Sequence, residues 1–500
     1  VCGCGYTDSD KNGDGVVDCG TSTSGLCIPG PSGAMDCAEE VLASAACAGA
    51  NSFLGQINIA TVLNLLSSPL NFTVKYIDAG GTVRGQVSTA LAGNLKADFI
   101  INDLGLTPDT YGTVCVETDA AGDGAWTGGI ALYKPNRREG PKPFGADFDF
   151  AIYHPFTNPR QGSMTVPLNT FHLGVNPADP VANWISITDA TVGDGQGLSG
   201  KLRYYNSLGS LTKEDLVLIA DGGRFDFSGH EGIAGLNSQD AVGMARFVPD
   251  AISSGAQAKY YLTVSRYFYD CAGTSCTNFL TAFSLPHRPG TEAKITGRAS
   301  SLNGELSVLE LTNTATSPAA AQYKLYAANG TLHGSGSAAI PVLGTTHIIL
   351  NQAGASGFLP ADSLGSIEVD AVSGYVSASI LHYNFNASGE LLYAYATPLV
   401  GPQKALQVSQ FNSFIEHTNS LEAYNPTSIS IALSLDFVDY DGSHLYSVNT
   451  TIAPFATVRF DALLQANHYG TVNVQANQNG LITRSFVARN SQYVLPFEAH

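Results

Sequence analysis

The sequence predicts an all-β fold made of tandem repeats, and three observations carry that expectation. Charged residues make up only 13% of the 500-residue chain, while glycine alone accounts for 53. Together with 22 Tyr and 23 Phe and abundant Val, Ile and Thr, this favours short strands and tight turns over helices. The second observation is an alternating strand followed by a tight turn, which occurs four times. It reads Phe72–Gly80, Leu202–Gly209, Tyr323–Gly330 and Leu435–Gly442, with the turn glycines 129, 121 and 112 residues apart. The third is a glycine opening a short strand after each of these turns, at Gly112, Gly243, Gly365 and Gly470. Two landmarks that keep step through four copies mark a repeat architecture.

A third landmark closes each copy with an aromatic hairpin that ends near proline. It runs Tyr267 to Pro286 in the second copy and Tyr383 to Pro398 in the third. Looser versions end near Pro155 and Pro496. Proline stops a strand because it has no amide hydrogen to give the ladder. Each copy then holds about seven strands, which suits a two-sheet antiparallel sandwich. The copies resemble immunoglobulin-type domains in architecture, without the buried Cys–Trp–Cys signature of antibody domains. The expected organisation is therefore four tandem antiparallel immunoglobulin-like β-sandwich domains preceded by a small Cys-rich calcium-binding module. The boundaries are 1–50 for the module, then 51–161, 162–290, 291–402 and 403–500 for the sandwiches.

Six of the nine cysteines (Cys2, Cys4, Cys19, Cys27, Cys37 and Cys47) fall in the first 47 residues. That density is typical of a disulfide-stapled module in an oxidising compartment, so the expected location is secreted, extracellular or on the cell surface. Cys271 and Cys276 sit close enough to clip a hairpin loop. Nine is an odd number, which makes Cys115 the candidate free thiol. The one stretch with helical character is Asp36–Ala48, rich in Ala and Glu and stapled at Cys37 and Cys47. The start at Val1-Cys-Gly-Cys reads as a mature N-terminus or follows a segment upstream.

The sharpest local motif is the run from Thr7 to Cys19. Oxygen-bearing side chains recur at every second position, which gathers Asp10, Asn12 and Asp14 around one point. Gly15 lets the chain turn so that the Val16 carbonyl and Asp18 aim at the same centre, with Asp8 as an alternative first ligand. Ca²⁺ takes about six to eight oxygens, and this loop offers five or six. The pattern resembles the loops of thrombospondin type 3 repeats, dockerins and EF-hands. Thr21 stands where an EF-hand has its bidentate Glu, so the resemblance implies structural support rather than sensing. Asp119–Asp123 is a weaker acidic-glycine stretch and reads as a hairpin turn.

Lys plus Arg number 24 against 42 Asp plus Glu, a formal net charge of −18. Such a chain is a poor match for nucleic acid or an anionic membrane. The most apolar stretch, Ile57–Leu70, is interrupted by Asn64 and is too short for a transmembrane helix. No nucleophile elbow, zinc helix, phosphate loop or dinucleotide fingerprint is present, and C-x-x-C-H is absent. The one polar knot is Arg224, Asp226, His230 and Glu231, read as a segment ordered by an Arg–Asp pair in preference to a carboxylate–histidine site. Glycosylation sequons start at Asn71, Asn329, Asn386 and Asn449. The expectation is a non-enzymatic structural subunit of a surface filament, appendage or layer, bound to copies of itself or to other surface proteins. The alternative is an adhesin or carbohydrate-binding array with glycans as partners.

Overall fold

The fold is taken from a computed structural model, which describes residues 25–29, 35–39, 45–119, 124–135, 148–170, 181–233, 241–250, 258–272, 275–351, 359–462, 464, 466–489 and 492–499. Strands dominate it. A hairpin of β1 (Gly25–Pro29) and β2 (Met35–Glu39) comes first and pairs Cys27 opposite Cys37. Four successive sets of eight strands follow.

The first set is β3 (Ala45–Asn51), β4 (Ile57–Asn64), β5 (Leu70–Asp78), β6 (Val83–Leu91), β7 (Lys96–Ile100), β8 (Tyr111–Thr118), β9 (Trp126–Pro135) and β10 (Phe148–Pro155). The second is β11 (Met164–Asn169), β12 (Val181–Asp189), β13 (Leu198–Asn206), β14 (Leu211–Ile219), β15 (Arg224–Ser228), β16 (Val242–Pro249), β17 (Tyr260–Ala272) and β18 (Ser275–Pro286). The third is β19 (Ile295–Ser300), β20 (Leu306–Asn313), β21 (Ala319–Ala327), β22 (Leu332–Ile340), β23 (Thr345–Ile349), β24 (Leu364–Ser373), β25 (Val376–Phe385) and β26 (Leu391–Pro398). The fourth is β27 (Leu406–Asn412), β28 (Thr418–Tyr424), β29 (Ile431–Asp439), β30 (His444–Ile452), β31 (Thr457–Asp461), β32 (Tyr469–Ala476), β33 (Ile482–Arg489) and β34 (Tyr493–Glu498).

Every set makes the same two four-stranded antiparallel sheets. The first sheet orders strands 1-6-3-4 of the set, as in β3-β8-β5-β6, and the second orders 5-2-7-8, as in β7-β4-β9-β10. Apolar side chains from both sheets meet between them. In the third set Leu309, Leu311 and Ile380 of the second sheet share a core with Leu325, Ile367 and Val369 of the first. Because side chains alternate along a strand, each sheet has one face in this core and one face left over.

The left-over faces of the two sheets meet different fates. Along the fourth strand of each set, at one edge of the first sheet, the alternation is clear: β22 is exposed at every second residue from His333 to Ala339. The inner strands of the second sheet are buried on both faces, as in β25, where Ser379, His382 and Asn384 are buried along with Ile380 and Leu381. The reason is that the eighth strands of the four sets pack around a common axis. β10 lies against β18, β18 against β26, β26 against β34, and β34 returns to β10. Ala131, Tyr133 and Ala151 of the first set therefore share an apolar cluster with Val487, Tyr493, Leu495 and Phe497 of the fourth. Tyr393 and Tyr395 of the third meet Phe486 of the fourth. The four repeats close into a ring.

The sequence landmarks are the joints of that ring. The glycine of each strand-3-to-strand-4 turn backs onto the next repeat. A Cβ at Gly81, Gly209 or Gly330 would strike the carbonyl oxygen of Asp221, Val342 or Pro454 respectively, and Gly442 approaches Leu95 of the first repeat. All four have positive φ, between 77° and 88°, a conformation glycine adopts without steric cost. In the first repeat the joint is Gly81 rather than the expected Gly80, since Gly81 donates to Asp78 as Gly209 does to Asn206. The strand-opening glycines Gly112, Gly243, Gly365 and Gly470 have one shared reason. Each faces the last residues of the third strand, where a Cβ would meet the carbonyl of Ile77, Tyr205, Tyr326 or Val438.

Buried asparagines lock each repeat. Asn64 and Asn313 end the second strand and Asn425 directly follows it, and each donates its side-chain amide to three backbone carbonyls lying 4, 27 and 28 residues on. The second repeat has Asp189 instead, which accepts from Thr191 and Gly222.

Three expectations are corrected. The described residues of Asp36–Ala48 belong to strands and not to a helix: they fall in Met35–Glu39 and Ala45–Asn51, the second of which pairs antiparallel with β8. Strand β3 pairs with β8, so the expected boundary at Ala50 falls inside a strand of the first repeat. Cys115 is not free; it sits opposite Cys47 in that ladder and is disulfide-bonded to it. The Asp119–Asp123 stretch, expected as a hairpin turn, lies outside the described residues from 120 to 123. Cys271 and Cys276 do lie at the tip of the β17–β18 hairpin, where Ala272 pairs with Ser275.

Candidate functional site

The calcium-loop residues Asp8, Asp10, Asn12, Asp14, Val16 and Asp18 lie outside the described residues. Among the described residues no group of three or more His, Cys, Asp or Glu side chains is placed to hold a metal ion. No helix among them is long and apolar enough to cross a membrane.

The Arg224 knot is resolved into an interface. Arg224 opens β15 and grips Asp226 with two nitrogens, at 2.8 and 2.9 Å. Its third nitrogen reaches out of the repeat to the carbonyls of Ala50 and Gly112, and the guanidinium lies 5.4 Å from the Tyr111 ring. His230 bonds instead with the backbone of Asn183 at 3.1 Å, inside the short helix α1 (Gly229–Ile233). The knot therefore joins the first and second repeats, and no His–carboxylate hydrogen bond is formed within it.

Equivalent positions do the same elsewhere. Lys96 opens β7 and reaches Gln410 and the Tyr469 ring of the fourth repeat. Thr345 opens β23 and donates to the Gly243 carbonyl of the second. Further inward, Arg266 bonds Glu310 at 2.8 Å across the second and third repeats. Arg298 holds Glu305 and, across the third and fourth, Glu422, at 2.8 and 2.9 Å. All five of these inner side chains are buried. Ion pairs out of water are costly unless every partner is in place, so they fix which surfaces meet.

The cavity lies at one end of the ring axis, where the four central strands finish. Its volume is about 750 Å³, and Pro155, Pro286, Pro398 and Pro496 all line it. Its charge is opposite to that of the chain. Arg160, Arg288, Lys294, Lys404 and Arg484 line it, and Glu498 is the one acidic residue among the lining. Glu498 joins Arg288 at 2.6 Å and Arg484 at 3.7 Å. Arg484 is 1% exposed; it donates to the Pro398 carbonyl through Nη2, while Nε and Nη1 have no partner. His287 meets Thr165 through Nδ1, and its buried Nε2 has no partner. Burial, then the nearby charges of Arg160, Arg288 and Arg246, pushes its pKa down to about 3.

No family model matches the chain, and no curated protein does. Among solved structures it has a match to a viral chemokine binding protein, R17, encoded by rodent gammaherpesvirus Peru. The identity is 8% over 67% of this chain and 84% of that one, with a TM-score of 0.15. A likeness at that level carries no argument.

Sequence reasoning missed the axial cluster. The signal was there in the segments that leave each central strand: Pro159-Arg160, Pro286-His287-Arg288 and Pro402-Gln403-Lys404 each set a cation beside a proline. In a chain so poor in Lys and Arg, that recurrence was the clue.

Proposed function

We propose that the chain is an extracellular structural subunit of a surface filament, appendage or layer, built of four immunoglobulin-like β-sandwiches. In this reading the Cys-rich segment before them binds Ca²⁺ for support, and the partners are copies of the same chain or other surface proteins. The observation that carries the proposal is how the ring uses its edges. The eighth strands are consumed at the axis, whereas β6, β14, β22 and β30 remain at the open edges of their sheets. An open edge is a template for another strand. Three of these edges are blunted by polar or small outward residues, such as Gln86 and Ser88, Ser335 and Ser337, or Ser447 and Asn449. β14 instead presents Leu216 and Leu218, 75% and 82% exposed. An apolar open edge is costly in water and favours burial against a partner.

Electron microscopy and sedimentation of the purified chain in Ca²⁺ test this. Ordered polymers are expected, and Leu216→Lys with Leu218→Lys should abolish them while the monomer keeps its unfolding midpoint. Monomers at every concentration tried would overturn the proposal.

A further inference from the structure

The axial cavity has features that the assembly reading leaves unused. Five of the chain's 24 Lys and Arg residues converge there, against one of its 42 acids. They come from the connections after the first, second and third repeats and from the fourth repeat, so only the closed ring brings them together. Glu498 already serves two arginines, which leaves an excess of positive charge in a walled space. Buried donors without acceptors cost about 1–3 kcal/mol each. The unpartnered Nε and Nη1 donors of Arg484 therefore require a reason. A volume of about 750 Å³ is that of a small-molecule site. Trp126 and Phe156, whose rings lie 5.9 Å apart, give its wall an apolar side.

We propose that the axial cavity binds a small organic polycarboxylate with a ring or other apolar body. Its carboxylates face Arg288, Lys404 and Arg484, and its body lies toward Trp126 and Phe156. Guanidinium groups suit this role because charge-assisted hydrogen bonds to carboxylates are strong and directional. The site is a property of the closed ring and needs no polymer, so it stands or falls independently of the assembly proposal.

Titration calorimetry of the monomeric full chain with benzene-1,3,5-tricarboxylate tests the site, with citrate as the probe that has charge but no ring. Saturation at one benzenetricarboxylate per chain is expected, with citrate weaker and both weakened by salt. Arg288→Gln with Lys404→Gln should weaken binding about tenfold or more. Both side chains reach solvent, so this variant keeps the fold, and an unchanged unfolding midpoint verifies it. Arg484→Lys serves as the second variant and should also lose affinity while keeping its charge. Absence of saturable heat with either probe would overturn the proposal. So would uptake of many molecules per chain, or affinity that survives both variants.

Discussion

Strands β22 and β25 belong to the same repeat, yet they follow opposite rules. β22 sits at the rim, and its outward residues are His333, Ser335, Ser337 and Ala339, exposed in strict alternation. β25 sits near the axis, and the face it turns from the core carries Ser377, Ser379, Leu381 and Tyr383, all but Ser377 buried. Ser377 and Ser379 read in sequence like Ser335 and Ser337 of β22, and only their surroundings differ. A polar strand face thus says little about exposure when a neighbour can satisfy its hydrogen bonds. On the other face of the same strand His382 is buried as well, met by Thr397, Ser307 and Arg298. Such burial is costly if any partner is lost, so the axis should be fragile where the rim is tolerant.

Acid is the strongest test of that contrast. His154, His287 and His417 stand at or beside the axis, and burial foremost pushes each down to about 3 from 6.5. His382 is driven in the same direction by burial and then by Arg298 and Arg484. Their folded pKa values lie below the unfolded one, so the unfolded chain takes up more protons. Their contribution is complete above about pH 6.5 and is lost as the pH falls toward 3. Urea midpoints measured across that range should drop steeply, and His417→Gln should flatten the drop. A flat profile would place these rings in contact with water.

Next in size is the removal of one inner cation. Arg298→Ala leaves Glu305 and Glu422 buried without their partner, which should cost about 3–5 kcal/mol in denaturant unfolding. The rim pair Arg203–Glu214, at 2.8 Å and partly exposed, should cost far less on Arg203→Ala, because water and salt screen it. Equal losses would erase the distinction between axis and rim.

The smallest effect compares two glycines with the same backbone. Gly193 (φ 86°) faces open space, and Gly209 (φ 77°) faces the Val342 carbonyl of the next repeat. Gly193→Ala should cost about 1 kcal/mol for backbone strain alone. Gly209→Ala adds a collision across the joint and should cost about 3 kcal/mol, a difference that thermal melts resolve.

Much of this was legible in the sequence. Strand composition, the turn glycines Gly209, Gly330 and Gly442, and the glycines that open each sixth strand all marked real joints, because close backbone approach tolerates no Cβ. The proline-ended hairpins marked the central strands. Ring closure was not legible. Its contacts join residues hundreds of positions apart, such as Lys96 and Gln410, and its buried charges read as ordinary surface until a partner is found. The Ala-rich run before Ala48 misled because helix propensity is a weak prior beside a paired strand. Its Cys47 pairs with Cys115, 68 residues on. The calcium loop stays an expectation from sequence.

Closure between the first and fourth repeats also fixes arithmetic. In an open solenoid each unit touches only its neighbours, and units can be gained or lost by duplication without strain. Here β34 lies against β10, so an added copy would have to break a seal already made, and a deleted one would leave two surfaces with no mate. The number four is thus held by geometry, and growth of this lineage by repeat duplication would have to proceed ring by ring.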